Sequence, residues 1–485
     1  WTTRTKVMDI SSTAGPGEPA PSDSDFTYED WLDLKQLFNK ACEHYEFGDV
    51  AETLPLLRGV IHECHRCLLA FQDPSILFTP PTAPATQAKA LQPRTSTASS
   101  SSSRRTRGLA SDSVDLPTSF HSLLGTALFY FGNSIAAKPE FALAGEPSNP
   151  VPYWIAALDV FEGGENLPSR IEPPSIPKSY KFGMLPEDSP PPIREDWRMA
   201  IMWGRTLVAL ATEMVDRNRG KPPPDPEPQY FPSPFPTNTD YLKTGTIWDD
   251  EPEWPAESPF GVIATRRPPI TRRMMLTGAT PHEILQFAMD HFSRGIFHLP
   301  RSSTSTSSTY PSPRRPTIPQ FTRTKTLYEV GDEVLLLAEK LDDAEERKEW
   351  ATYADSVFSQ IHDAGEVLPT IGDGLVAKAR GRAWLVVGST ISEIIEERMD
   401  EGSETGRTVG SLMKSEDAEE ARDALTRAIE FLERAKSYIG EYTWADVEKK
   451  QLSSLLAEAL CSFANLTESE ERQEEYYRRA EAETG

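Results

Sequence analysis

Apolar residues recur every three or four positions along most of this 485-residue chain, and this spacing is the feature that most constrains its fold. The clearest stripe comprises Ala421, Leu425, Ala428, Leu432, Ala435 and Ile439. Such spacing places apolar side chains on one face of an α-helix, whereas a half-buried strand alternates apolar and polar residues. No segment shows convincing strand alternation. The sequence therefore predicts an all-α protein.

The stretch after residue 321 is almost continuously helical, with short links and alanines at packing positions. This pattern is typical of helical-pair repeats, because each pair leaves an apolar face that its neighbour covers. Leu460, Cys461, Tyr477 and Ala480 match part of a tetratricopeptide signature, with Gln473 where an alanine is expected. We therefore predict an irregular tetratricopeptide-like helical-repeat solenoid.

Long inserts rich in Ser, Thr and Pro interrupt the helical pattern. Residues 95–103 are all Ser, Thr or Ala, and eleven prolines lie between Lys221 and Phe260. Such segments bury too little apolar surface to fold, and proline disrupts helices and strands. The predicted division is a disordered segment 1–25, a helical hairpin 26–72, a disordered insert 73–115, helical repeats with a Pro-rich loop 116–218, an irregular insert 219–280, a helix 281–300, a disordered insert 301–320 and acidic helical repeats 321–485.

The charge balance is strongly acidic and unevenly distributed. The whole chain has a formal net charge of −24, and residues 327–485 hold 37 acidic and 18 basic residues, which gives −19. Nucleic acids and anionic lipids bind clustered Lys and Arg, so the charge argues against both as direct partners. A protein partner with a basic face is favoured. Two acidic groups are candidate docking positions: Glu393, Glu396, Glu397 and Asp400, and Glu416, Asp417, Glu419 and Glu420. For the second group the alternative is a solvated helix start, which the helix dipole favours.

One uncharged segment, 116–137, is about long enough to span a bilayer. Its serines, threonines, asparagine and histidine are too polar for hydrocarbon, and its apolar stripe predicts a helix buried in protein instead. No membrane span is predicted. Four cysteines are too few to staple a chain of this size, which indicates a reducing compartment.

The most enzyme-like cluster is a set of cysteines and histidines at zinc-like spacings: Cys42, His44, His62, Cys64, His65 and Cys67. Zinc needs four converging ligands, but Cys64 lies on the core stripe of its predicted helix whereas His62 and His65 project from other faces. There is no phosphate-binding loop and no Gly-x-Ser-x-Gly elbow. We therefore assign no catalytic, cofactor-binding or metal residue. A zinc-stapled or metal-dependent enzyme using residues 62–67 is the alternative, as is a generic tetratricopeptide co-chaperone.

Two basic clusters stand out in this acidic chain: Arg104, Arg105 and Arg107, and Arg266, Arg267, Arg272 and Arg273. Each is a candidate signal for a nuclear import receptor or a phosphorylation-regulated contact. The alternative interpretation is that loops simply carry scattered arginines.

Three stretches resemble a known protein family. They are residues 56–64 (LLRGVIHEC), the helix opening 120–124, and the C-terminal run 455–460 through 465–467. Together they resemble the fungal enhancer of translation termination family, also known as a negative regulator of a hypoxia-linked 2-oxoglutarate dioxygenase. The resemblance covers both ends of the chain, and the Ser- and Pro-rich inserts have no counterpart in it.

The resemblance implies a non-enzymatic, all-helical nuclear adaptor that needs no cofactor. It would bind a 2-oxoglutarate/Fe(II) prolyl-hydroxylase-type dioxygenase and thereby affect translation termination and hypoxic gene expression. The translation termination machinery and a nuclear import receptor are further implied partners, and the cytoplasm is a second compartment. The family's contacts are not defined by a motif, so the resemblance identifies no partner-binding residue.

Overall fold

The computed structural model describes residues 26–78, 115–167, 195–219, 246–268, 271–300, 322–363, 372–405, 413–440 and 444–484. Within these ranges the chain forms fourteen α-helices and no strand, which confirms the all-α prediction. The helices are α1 Tyr28–Glu46, α2 Val50–Ala70, α3 Ser119–Ala137, α4 Val151–Glu165, α5 Trp197–Arg219, α6 Pro259–Thr265, α7 Arg272–Leu276, α8 Pro281–His298, α9 Arg323–Ala338, α10 Ala344–Asp363, α11 Asp373–Thr405, α12 Glu416–Ser437, α13 Asp446–Asn465 and α14 Glu470–Thr484.

The long helices pack as six successive pairs: α1 with α2, α3 with α4, α5 with α8, α9 with α10, α11 with α12 and α13 with α14. Each pair contacts the next one, through α2–α3, α4–α5, α5–α9, α10–α11 and α12–α13. The short helices α6 and α7 lie against α4, and α6 also contacts α2. This is the predicted irregular helical-repeat arrangement, in which neighbouring pairs cover one another's apolar faces.

Local sequence signals set where these helices begin. Thr280 caps α8 by accepting a hydrogen bond from the Glu283 backbone N–H, while the Glu283 carboxylate accepts one from the Thr280 backbone N–H. Pro281 occupies the first turn, where no backbone donor is needed. Ser415 caps α12 in the same way as Thr280, with its hydroxyl accepting from the Ala418 backbone N–H.

The predicted irregular insert 219–280 is more regular than expected. Its described part contains α6, α7 and a 3-10 turn at Ile247–Asp250. Proline does not prevent α6, because Pro259 stands in the first turn of that helix, where proline is tolerated. Residues 1–25, 79–114 and 301–320 of the predicted disordered segments lie outside the described residues.

Helix α3 occupies most of the uncharged segment 116–137, and most of its side chains are buried, including Phe120, Leu124 and Phe131. Within the described ranges, no helix has the length and hydropathy that a bilayer crossing would require.

Candidate protein-interaction surface

The cysteines and histidines of the candidate zinc cluster, which the sequence argued against, do not converge. Cys64 and Cys67 are fully buried on the core face of α2, whereas His62 is exposed on another side of that helix. Burial raises the pKa of the Cys64 thiol and raises that of Cys67 to about 12, which disfavours the thiolates that bind zinc. Across the described ranges, no three or more His, Cys, Asp or Glu side chains are placed to hold a metal ion.

Two histidines elsewhere face the helical core, His291 buried and His121 half-buried. The His291 ring stacks on Trp203 with 4.2 Å between ring centroids, and its Nε2 lies 3.3 Å from Nη1 of Arg272. Burial, with the nearby Arg294 and Arg272, lowers the pKa of His291 to about 3. Burial likewise lowers the pKa of His121 to about 4. Both imidazoles are therefore neutral at physiological pH and serve as packing groups.

The arginine cluster 266–273 is engaged in the fold. Arg266 donates hydrogen bonds to the backbone carbonyls at the end of α2, including that of Leu68. Arg267 forms ion pairs with Asp159 of α4, at 2.6 Å, and with Glu251. These contacts tie the segment around α6 to α2 and α4.

The other two arginines of that cluster are also paired. Arg272 lies 2.7 Å from Glu165 of α4, and Arg273 forms an ion pair with Glu251. All four arginines of the cluster 266–273 are therefore bonded within the fold. These contacts favour a structural role for the cluster over a role as an import signal. Arg104, Arg105 and Arg107 lie outside the described residues.

The α11–α12 pair brings the two predicted acidic groups together. The helices run antiparallel, with Gly388 against Leu425 and Gly381 against Leu432. The close approach at these two positions depends on glycine, because a Cβ at either would lie 2.6 Å from the leucine Cγ. The same register places the end of α11 beside the start of α12, where Arg398 and Asp417 form an ion pair.

Some carboxylates of these groups are already engaged. Glu393 pairs with Arg347 and Glu420 with Lys348, so both are held by α10. Besides these and the paired Asp417, the described carboxylates of the two groups are exposed and form no ion pair; we call them the acidic end, and they are Glu396, Glu397, Glu416 and Glu419. The Asp400 side chain lies outside the described residues.

The acidic end is a surface suited to a basic partner. Four exposed carboxylates on two adjoining helices repel one another, and a cationic partner would relieve that repulsion. Two of them lie in the first turn of α12, where the helix dipole already favours negative charge. The helix dipole therefore stabilises part of this negative charge, and the remaining repulsion favours the binding of a cationic partner.

Sequence reasoning found these two groups separately and gave no reason to join them. They are about twenty residues apart in the sequence, and part of the link between α11 and α12 lies outside the described residues. The seven-residue spacing of Gly381 and Gly388 indicates that another helix packs closely against α11. A single sequence does not show which helix that is.

No known protein family and no curated protein sequence matches this chain. Among solved structures, the chain is similar to Nro1, described as a hypoxic regulator of sterol synthesis and nuclear import adaptor, with 13% identity and a TM-score of 0.43 over 94% of this chain and 88% of that one. It is also similar to the S. pombe nuclear import adaptor Nro1 in a second structure, with 14% identity and a TM-score of 0.45 over 96% of this chain and 94% of that one.

Proposed function

We propose that this chain is a non-enzymatic adaptor of the enhancer of translation termination type. It binds a 2-oxoglutarate/Fe(II) prolyl-hydroxylase-type dioxygenase in the nucleus and thereby influences translation termination and hypoxic gene expression. The identity of this partner rests on the resemblance carried by residues 56–64, 120–124 and 455–467.

The observation that supports an adaptor best is the acidic end of the α11–α12 pair. Helical repeats present extended surfaces for partner binding, and here one such surface carries Glu396, Glu397, Glu416 and Glu419 without internal counterions. An acidic surface also steers a basic partner to its site before contact. We infer that the dioxygenase, or the import receptor that carries the complex, offers a basic face to this end.

The metalloenzyme alternative has less support. Its candidate ligands divide between the core face of α2 and its solvent side, as Cys64 and His62 illustrate. Metal analysis of the purified chain tests it directly, since a stoichiometric metal ion would overturn the adaptor proposal.

The proposal is tested by affinity purification of the tagged chain from a native extract. Recovery of a 2-oxoglutarate dioxygenase at low salt, with loss of most of it at high salt, is the expected result, because ionic strength screens exposed charges. The fourfold variant Glu396→Gln, Glu397→Gln, Glu416→Gln and Glu419→Gln should recover clearly less of the same protein.

A matched control variant changes four other exposed, unpaired carboxylates in α14: Glu470→Gln, Glu471→Gln, Glu474→Gln and Glu475→Gln. It removes the same charge from the same third of the chain and should retain the partner. Capture of neither a dioxygenase nor a translation factor would reject the proposed partners. Equal loss in both variants would reject the acidic end as the binding surface.

A further inference from the structure

A strip of arginine and aromatic side chains lies on the same helix pair as the acidic end, but further along it. The Arg427 guanidinium lies 4.5 Å from the centroid of the Trp384 ring. Those of Arg380 and Arg434 lie 4.3 and 5.3 Å from the Phe431 ring centroid. These five residues, which we call the cationic strip, alternate between α11 and α12, whose antiparallel register sets them side by side.

Only one arginine of the cationic strip has a carboxylate partner. Arg380 donates two hydrogen bonds to Asp355 of α10, at 2.6 and 3.1 Å. Arg427 and Arg434 are exposed and form no ion pair. Glu430, which lies between them in α12, pairs with neither, and Glu433 is held by Arg479 of α14.

The cationic strip therefore has more hydrogen-bond donors than acceptors. Its two unpaired guanidiniums lie over aromatic rings, an arrangement that holds a guanidinium in place while its N–H groups stay available. The Trp384 indole N–H is enclosed and has no acceptor in the described part of the chain. Of the carboxylates nearby, Asp355 is engaged by Arg380, and Glu430 forms no ion pair with either exposed arginine.

Unlike half of the described arginines in their acidic surroundings, Arg427 and Arg434 have no carboxylate partner. Residues 327–485 carry a net charge of −19, and five of the ten described arginines there form an ion pair, including Arg347, Arg382 and Arg398. Arg427 and Arg434 instead keep aromatic neighbours. A surface that presents ordered guanidiniums and aromatic faces is complementary to carboxylates that enter beside apolar side chains.

We propose that the cationic strip binds an acidic peptide segment of a partner protein, with Arg427 and Arg434 each engaging one carboxylate. This deepens the proposed adaptor function by assigning chemistry to a second surface, opposite in charge to the acidic end. The adaptor thus offers separate sites, on one helix pair, to a basic face and to an acidic segment.

The distance between Arg427 and Arg434 sets the distance between the two carboxylates of the peptide. They are seven residues apart in α12, which is about 10 Å along a helix that rises 1.5 Å per residue. A polyproline II segment rises about 3.1 Å per residue with three residues per turn, so two carboxylates three residues apart lie on one face about 9 Å apart and match this distance. The recognised segment therefore has this conformation, with acidic side chains at that interval.

The test uses a fluorescein-labelled short peptide that carries two glutamates three residues apart, and its glutamine counterpart. Fluorescence anisotropy with the full chain should show binding of the glutamate peptide and little binding of the glutamine peptide. The double variant Arg427→Gln, Arg434→Gln should weaken binding about tenfold, since two exposed ion pairs are lost.

A control variant removes two other exposed, unpaired arginines of the same region, Arg472→Gln and Arg478→Gln in α14. It should bind the glutamate peptide as the unaltered chain does, and circular dichroism should show all three proteins equally folded. Absence of glutamate-peptide binding, or equal weakening by the control variant, would overturn the proposal.

A second copy of this chain is the other occupant to distinguish, since its acidic end has the required charge. Sedimentation velocity would then show a dimer that Arg427→Gln, Arg434→Gln dissociates, and this result would also overturn the proposal. The peptide assay contains no dioxygenase, so its failure leaves the proposed partner untouched, and failure to capture a dioxygenase leaves peptide binding untouched.

Discussion

Arg205 of α5 and Glu333 of α9 form a two-point ion pair that joins the third helix pair to the fourth. Arg205 Nε lies 3.0 Å from both carboxylate oxygens of Glu333, and Nη2 lies 2.7 Å from Oε1. Glu329 accepts a further hydrogen bond from Nη1 at 2.7 Å. Burial raises the pKa of Glu333, and the guanidinium offsets part of that effect. The joint is thus held by charge as well as by apolar packing.

Replacing Arg205 by alanine should lower the free energy of unfolding by about 3 kcal/mol, because Glu333 would lose its counterion at a largely buried position. Urea denaturation followed by circular dichroism measures the change. The double variant Arg205→Met, Glu333→Leu should lose less than the single one, since neither charge is then left behind. A larger loss in the double variant would contradict this account of the joint.

Leu425→Asp should unfold the C-terminal pairs. Leu425 is fully buried against Gly388, and an unpaired carboxylate there costs several kcal/mol. The neighbouring Thr426 is exposed, so Thr426→Asp is the matched control and should melt within a few degrees of the unaltered chain. Thermal melts by circular dichroism distinguish them, and similar melts for both variants would place Leu425 outside the core.

Acid should destabilise the chain through His291. Its pKa of about 3 in the folded state lies below an unfolded value of about 6.5, so the unfolded state gains a proton first as the pH falls. The stability from burying the neutral ring is present above about pH 6.5 and is lost progressively down to about pH 3. Between pH 7 and 5 the loss is about 2 kcal/mol from this residue.

Urea denaturation at pH 7 and pH 5 measures this dependence. His291→Gln should reduce the stability difference between the two pH values by about 2 kcal/mol. The control His298→Gln changes an exposed histidine and should keep the full difference. An unchanged difference in His291→Gln would mean that this ring is protonated in the folded state.

Arg267→Gln should destabilise the fold because its partner Asp159 is almost completely enclosed, with 2% of its side chain exposed. Burial raises the pKa of Asp159 to about 6 even with Arg267 and Arg273 nearby, so losing a guanidinium leaves that carboxyl less satisfied. A loss of about 3 kcal/mol is expected. Arg66→Gln, at an exposed pair with Glu63, should cost less than about 1 kcal/mol. Equal, small losses of stability in both variants would show that Arg267 does not stabilise the fold and is free to bind a partner.

Much of the fold was predictable, because helix periodicity is a local property. The stripe from Ala421 to Ile439 corresponds to α12 and the 3-10 turn that follows it, and the uncharged stretch near Phe120 corresponds to buried α3. The short helices α6 and α7 were not predicted. Helices of this length have no complete apolar stripe, and Arg266 and Arg267 hold that segment through contacts with α2 and α4.

The candidate surfaces were harder to predict, since they depend on which helices pair. The acidic residues were recognised, but the partners of Glu393 and Glu420 come from a separate helix, α10. The sequence pattern did not single out Arg427 and Arg434, because they are scattered among carboxylates along the chain. Only the register of α11 against α12 puts them beside Trp384 and Phe431.

The third helix pair differs from the others in the timing of its assembly. About sixty residues separate the end of α5 at Arg219 from the start of α8 at Pro281. Ribosomes add about 5 to 20 residues per second, so α5 waits about 3 to 12 seconds for the helix that covers it. During that interval Ile201 and Gly204, which later meet Gly295 and Phe292, are open to water. Nascent chains halted between these two helices should therefore be the ones that chaperones retain most strongly.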